Sequence, residues 1–347
     1  MNLRILFFLL TLVTLLSCSK EDKEENTLKV EPEQINLVIG QKISLKVISK
    51  PKDLQPVLQV ADDRIAKLDG VMVEGLKEGE TELIARSGAL ICRVPIKVVA
   101  ENLYDRKVLA ECFTGIGCGA CEMVAEPFYE RQFSKPMYDS RIVNLSIHYG
   151  YKNDDFTLPQ FEYYAPFWGK QGQFTPAIML NRMSYNDPVN KSNVGPMISI
   201  GSYASEKRFN DTFWSVLKDL KSVVKLQIKP TQTGGTISVV VTGQFVPSVP
   251  VTSQDYFLTV VMTEDGVINP KPITRDKLDH VVRGYFTSAQ GDLIKIKDDG
   301  SFSFESKSFA PPKDCNLSNV HIVAFVNRYS DTDILGNTVE NVEEIAL

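Results

Sequence analysis

Phe113-Thr-Gly-Ile-Gly-Cys118-Gly-Ala-Cys121-Glu-Met123 joins two segments of different periodicity. Before it, Lys107-Val-Leu-Ala-Glu-Cys-Phe113 reads as a strand; after it, residues 119–133 read as a helix. A thiol at a helix start meets unpaired backbone N–H groups and the positive end of the helix dipole, and both favour the thiolate. The two-residue spacing brings the second thiol within reach of the first, and pairs placed this way commonly have lowered pKa values. Cys118 is therefore expected as an exposed nucleophile that attacks a disulfide, with Cys121 as the thiol that resolves the mixed intermediate. A permanent structural bridge is the alternative, because an oxidising compartment favours that state.

Downstream the alternation of strand and helix continues, which reads as an α/β domain over residues 103–222. Arg141-Ile-Val-Asn-Leu-Ser-Ile147 is a strand, residues 158–168 a short helix, Ala177-Ile-Met-Leu-Asn181 a strand, and about 204–221 a helix with Phe209, Phe213, Val216, Leu217 and Leu220 on one face. Phe174-Thr175-Pro176-Ala177 stands just before the third strand.

These features in this order resemble a thioredoxin-like domain. In that fold a cis-proline precedes the matching strand and packs against the start of the C-x-x-C helix, and its neighbour's backbone pairs with bound substrate. The resemblance makes Thr175 and Pro176 the candidate substrate-binding residues, and Pro127 fits the kink such helices carry. Two departures stand out. Gly117 occupies the place of a tryptophan, and Cys112 the place of a buried aspartate that assists proton transfer. Glu111 is then the acid available for proton transfer, although strand alternation puts Glu111 and Cys112 on opposite faces. Cys112, Cys118, Cys121 and His148 match no strong metal pattern, so no metal site and no cofactor are expected. His148 reads as a hydrogen-bonded residue at a strand end, and His280 and His321 as isolated structural residues.

Residues 223–347 return to strands. Val224, Leu226 and Ile228 alternate with polar residues, and Gly234-Gly235 separates them from Ile237-Ser-Val-Val-Val241, a hairpin signal. Further strands are expected at Tyr256–Met262, Val281–Phe286, Leu293–Ile296, Phe302–Glu305 and His321–Val326, which together suggest a C-terminal all-β sandwich. Cys315, after Pro311-Pro-Lys-Asp, reads as an exposed loop thiol. Glu111-Cys-Phe-Thr-Gly115, the Cys118-x-x-Cys121 pair, Ile147-His148, Val323-Ala-Phe-Val326 and the stretch from Val339 to Leu347 resemble the outer-membrane-protein-28-related family, lipoproteins of the Gram-negative envelope. That resemblance spans roughly residues 105–347 and implies the location and the fold more firmly than any reaction.

Residues 28–100 read as short alternating strands, among them Ile35–Ile39, Ile43–Val47, Glu82–Ala85 and Cys92–Val98, and so as an all-β sandwich. Asp63-Arg-Ile-Ala-Lys-Leu-Asp-Gly70 with Val73-Glu-Gly-Leu-Lys-Glu-Gly79 resembles the turn-rich centre of the bacterial immunoglobulin-like domain, group 2, which implies a spacer or binding module. Cys92 reads there as a small buried apolar residue.

Upstream, Met1–Ser17 carries one positive charge at Arg4 and the apolar run Ile5–Leu16, a signal peptide too short to span a bilayer. Leu15-Leu16-Ser17-Cys18 resembles the lipobox, which implies lipidation of Cys18 and a firm multi-chain anchor. Ser19–Thr27 then reads as a charged, solvated tether. A net charge of −5 without a long basic block excludes nucleic acid as the expected partner. Of six cysteines, five remain after lipidation, an odd number that leaves at least one without an intramolecular mate.

The sequence therefore implies a multidomain lipoprotein of the outer membrane: signal 1–17, tether 18–27, immunoglobulin-like sandwich 28–100, thioredoxin-like α/β domain 103–222 and β-sandwich 223–347. Its partners are a membrane through Cys18, and either protein thiols and disulfides or, for a non-enzymatic adhesion or assembly protein, a surface partner.

Overall fold

The computed structural model describes residues 26–50, 56–100, 103–135, 141–149, 154–186, 194–200, 221–246, 256–330 and 333–347. The signal peptide, Cys18 and the helix expected at about 204–221 lie outside them. None of the described helices is long and apolar enough to cross a membrane.

Residues 27–99 form short sheets around one apolar core. Leu90–Val99 is the centre of a four-stranded sheet with Ile35–Val38, Gly79–Ser87 and Val57–Val60, and Lys42–Ser44, Met72–Gly75 and Ala66–Asp69 make a three-stranded one. Alternate residues point inward, as in Leu90–Val99, where Val94, Ile96 and Val98 are buried while Arg93 and Lys97 are not. Cys92 is half-buried against that core.

The rest of the chain is organised on a nine-stranded sheet. Its near half contains β1 (Val108–Thr114), β2 (Ile142–His148), β3 (Ala177–Leu180) and β4 (Ile198–Ser199) in the order β4-β3-β1-β2. β1 and β2 are parallel, and β3 runs antiparallel to β1, as β4 does to β3. A second, three-stranded sheet comprises β5 (Val224–Thr233), β6 (Thr236–Phe245) and β10 (Ser301–Glu305). The far half of the large sheet contains β7 (Phe257–Glu264), β8 (Val281–Tyr285), β9 (Asp292–Leu293), β11 (Val320–Asn327) and β12 (Val339–Ala346).

β8 pairs with β2 through Ser146 and Val281, so the sheet runs on through β2-β8-β7-β11-β12. The sheet therefore continues across residue 222, the boundary expected between the α/β domain and the C-terminal sandwich. The sandwich is there, since Val224, Ile237, Val239, Val241 and Phe245 of the small sheet pack on Leu258, Val260, Met262, Ile322 and Ala324. One of its two layers, however, is the same sheet that carries β1.

Both faces of β1 are buried, which is why its sequence reads as a continuous apolar run. Val108, Ala110 and Cys112 face helix α1 (Glu126–Phe133), while Leu109 and Phe113 face a 3-10 segment, Pro159–Gln171. Phe161, Tyr164, Phe167 and Trp168 of that segment cover β1 and β2 and also Val261, Val323 and Phe325 of the far half. The helix expected at 158–168 is there in 3-10 form, which suits Pro166, and it kinks at Gly169, where the backbone leaves helical geometry.

Candidate functional site

Cys118 and Cys121 form a disulfide at the end of the loop that leaves β1. The loop turns at Gly117, where φ is +70°, a conformation that costs glycine nothing. The helix expected at 119–133 is there, and it widens into a π-helical turn at Cys121–Ala125, in which the N–H of Glu126 donates to the carbonyl of Cys121. Pro127 follows in the next turn, where its missing N–H leaves one helical hydrogen bond unmade. Cys118 Sγ accepts the backbone N–H of Cys121 at 3.2 Å and lies 3.9 Å from Thr175 Oγ1. The Thr175–Pro176 bond is cis. The structure thus brings Cys118, Cys121, Thr175 and Pro176 together.

Access differs from expectation. Cys118 is 3% exposed rather than an open nucleophile, and a strap from the far half of the sheet, Asn269–Arg275, lies against the flanking Gly117, Gly119 and Glu122. The strap is held by Glu122, a buried residue that the sequence did not single out. Its carboxylate accepts from Asn269 Nδ2 at 3.0 Å and from the amides of Ile273 and Thr274 at 2.9 and 2.8 Å. Burial pushes this carboxyl up, but the amides of Thr274 and Ile273, with Asn269 and Arg275, more than offset it and hold it below the usual range. Arg275 also pairs with Glu130 at 2.7 Å. Ile273 lies against the bare Cα of Gly119, where an added methyl would come within 3.7 Å of it.

Glu111 does not face the motif. Its carboxylate is fully buried on the opposite face of β1, gripped by Arg182 Nη2 at 2.7 Å and Nε at 2.9 Å. The Arg182 guanidinium lies among the rings of Tyr163, Tyr164 and Phe325. That carboxylate is committed to an ion pair, which removes the sequence's nominee for proton transfer. Cys112 does face α1, and burial pushes its thiol well up, with Glu126 adding to the effect.

His148 is hydrogen-bonded, as its place at a strand end suggested: Nδ1 meets the buried Asp154 carboxylate at 3.0 Å. Asp154 also accepts the amide of Ile116 at 2.9 Å and so anchors the loop that enters the motif. His280 and His321 are not isolated, since both turn Nδ1 toward Asp265, at 3.5 and 3.6 Å. Cys315 is half-buried beside Glu264 rather than exposed, and burial lifts its pKa to about 12, with Glu264 contributing.

Behind α1 lies a cavity of about 300 Å³, walled by Thr114, Glu126, Tyr129, Asn144, Ser146 and the strap's C-terminal end. Burial pushes the Glu126 carboxyl up to about 7; Arg275 opposes this, and Glu130, Asp279 and Glu122 add to it.

The fold is similar to that of HBP35 of Porphyromonas gingivalis, at 20% identity and a TM-score of 0.56, over 71% of this chain and 77% of that one. A domain of the outer membrane lipoprotein Omp28 from the same organism aligns at 16% identity, over 36% of this chain and 88% of that one, with a TM-score of 0.24. No curated protein matches the sequence. The family described as "Outer membrane protein Omp28" matches residues 163–347, more than half of the chain and all of the far half of the sheet, and the chain belongs to that family.

Proposed function

We propose that this protein is a lipid-anchored protein of the outer membrane in which Cys118 and Cys121 exchange disulfides with protein thiols. Family membership supports the outer-membrane location, and the lipobox at Cys18 supports the anchor. The exchange reading rests chiefly on one geometric observation: Cys118 Sγ sits at a helix start, accepts the N–H of Cys121 and neighbours Thr175. A thiolate formed there keeps that hydrogen bond and gains the helix dipole. The order β4-β3-β1-β2, with its parallel β1–β2 pair, supports a thioredoxin-like near half. In this reading Cys118 attacks, Cys121 resolves, Thr175 and Pro176 line the approach of the partner, and residues 28–100 serve as an immunoglobulin-like spacer.

Cys121→Ser should leave Cys118 in mixed disulfides that survive acid quenching and can be isolated from whole cells. Recovering none, where a known oxidoreductase is trapped in parallel, sinks the reading.

A second reading has its own observation, the burial of Cys118. It makes the bridge structural in a surface adhesion or assembly protein. The reduction potential separates the two: about −120 to −270 mV marks an exchanger, and a value below about −300 mV a structural bridge.

A further inference from the structure

The exchange reading leaves a chemical gap. When a partner thiolate attacks Cys118, the Cys118–Cys121 bond breaks and Cys121 departs as a thiolate. That thiolate is buried and needs a proton. Cys112 occupies the place of the expected acid, and its own pKa is raised, so it cannot carry charge there. Glu111 is held by Arg182 on the other face of the sheet.

We propose, building on the exchange reading, that Glu126 is the group that gives this proton to Cys121 and takes it back in the reverse step, with the cavity behind α1 as its connection to solvent. Three observations place it. The π-helical turn stacks residue i+5 under residue i, and the hydrogen bond from the Glu126 amide to the Cys121 carbonyl sets Glu126 one turn below Cys121. Glu126 lines the cavity, where Thr114 and Ser146 offer hydroxyls and where there is room for water. It belongs to the helix whose Phe128 and Tyr129 pack on Cys112, so it lies on the motif side of the sheet.

The charged groups around Glu126 are Arg275 and Asp279 from the strap side, and Glu130 and Glu122 from its own helix. Lys277 and His280 complete the wall. With a carboxyl pKa of about 7, Glu126 holds a proton about half the time at neutral pH and is suited to both directions of transfer.

The step balances as follows. A partner dithiol supplies a thiolate that bonds to Cys118 Sγ; the electron pair of the S–S bond goes to Cys121, which takes the Glu126 proton. The partner's second thiol, losing its proton to water, then attacks the mixed disulfide and releases Cys118 as a thiolate. The partner is oxidised by two electrons and the pair is reduced.

The test is reduction of the full-length oxidised protein by dithiothreitol, followed by acid quench and thiol labelling from pH 5 to 9. Rates are divided by the concentration of reductant thiolate. For the unmodified chain the quotient should be level below pH 7 and fall above it, as Glu126 loses its proton. Glu126→Gln should lower the quotient about a hundredfold at pH 6, the low end of acid–base contributions, and abolish the break. Glu126→Asp should restore the break. A flat profile in the unmodified chain overturns the proposal without any variant, and superimposable profiles for the unmodified chain and Glu126→Gln overturn it for Glu126 alone. A bridge that resists dithiothreitol in the unmodified folded chain overturns the exchange reading on which it rests.

Discussion

Glu122 illustrates how much a single residue decides here. Four groups of the strap converge on its carboxylate, and charge-assisted hydrogen bonds of this kind are roughly twice as strong as neutral ones. Its pKa is depressed in the folded state relative to an ordinary value of 4.5. The stabilisation it gives is therefore fully present above pH 4.5 and is lost as pH falls through the lower, folded value. Glu122→Gln should reproduce that loss at neutral pH. Hydrogen exchange of the Ile273 and Thr274 amides should quicken, and dithiothreitol should reach the Cys118–Cys121 bridge faster. Unchanged exchange at those two amides would show that the strap is held by something else. Glu122 gives no sign of this in the sequence, where it reads as an ordinary acid in a first helical turn. Cys118, Cys121, Thr175 and Pro176 were legible because their spacing and placement are local. The strap lies about 150 residues away along the chain, and no periodicity announces which loop will cover which helix.

At the scale of elements, the β5–β6 hairpin was the easiest to read. Gly234 and Gly235 adopt φ of +58° and +82°, as a two-residue turn between paired strands requires. Strand types were likewise visible in their alternation, whereas their partners were not. β2 meets β8 through residues 146 and 281, and side-chain period says nothing about which sheet a strand will join. Helix geometry also escaped the reading, because a π-turn has no residue signature. Within the small sheet, Gly243 of β6 faces Phe302 of β10, whose ring occupies the space a side chain would fill: a methyl at Gly243 would lie 2.2 Å from it. Gly243→Ala should therefore cost about 1–3 kcal/mol through overpacking, read as a lower urea midpoint. Most of that cost should vanish in a Phe302→Ala background. Equal costs in both backgrounds would contradict the packing argument.

At the scale of the whole molecule, residues 103–347 should unfold as one unit. The aromatic side chains of Pro159–Gln171 pack on both halves of the large sheet. Asn341, buried in β12, accepts from the amide of Lys107 at 3.0 Å and donates to the carbonyls of Asp105 and Val224 at 3.1 and 2.8 Å. Val38, from the N-terminal sandwich, belongs to the core between the large and small sheets, so that module is also attached. Native-state hydrogen exchange across a denaturant series should show β1, β7 and β11 losing protection together. Loss of β7 and β11 at clearly lower denaturant than β1 would restore a boundary near residue 222.

The tie between Lys107 and Asn341 closes a loop of 234 residues, and this has a consequence in time. A ribosome working at about 5–20 residues per second delivers β12 roughly 10 to 50 seconds after β1. β1 has β2, β3 and the aromatic cover of Pro159–Gln171 once residue 180 is made, but β2 lacks β8, and the cover lacks Val261, Val323 and Phe325, until the far half arrives. The open edge of β2 and the unfilled side of the aromatic cover must be kept from aggregating by something other than the chain's own fold until the far half arrives, and a defect in β12 would be felt by residues made long before it.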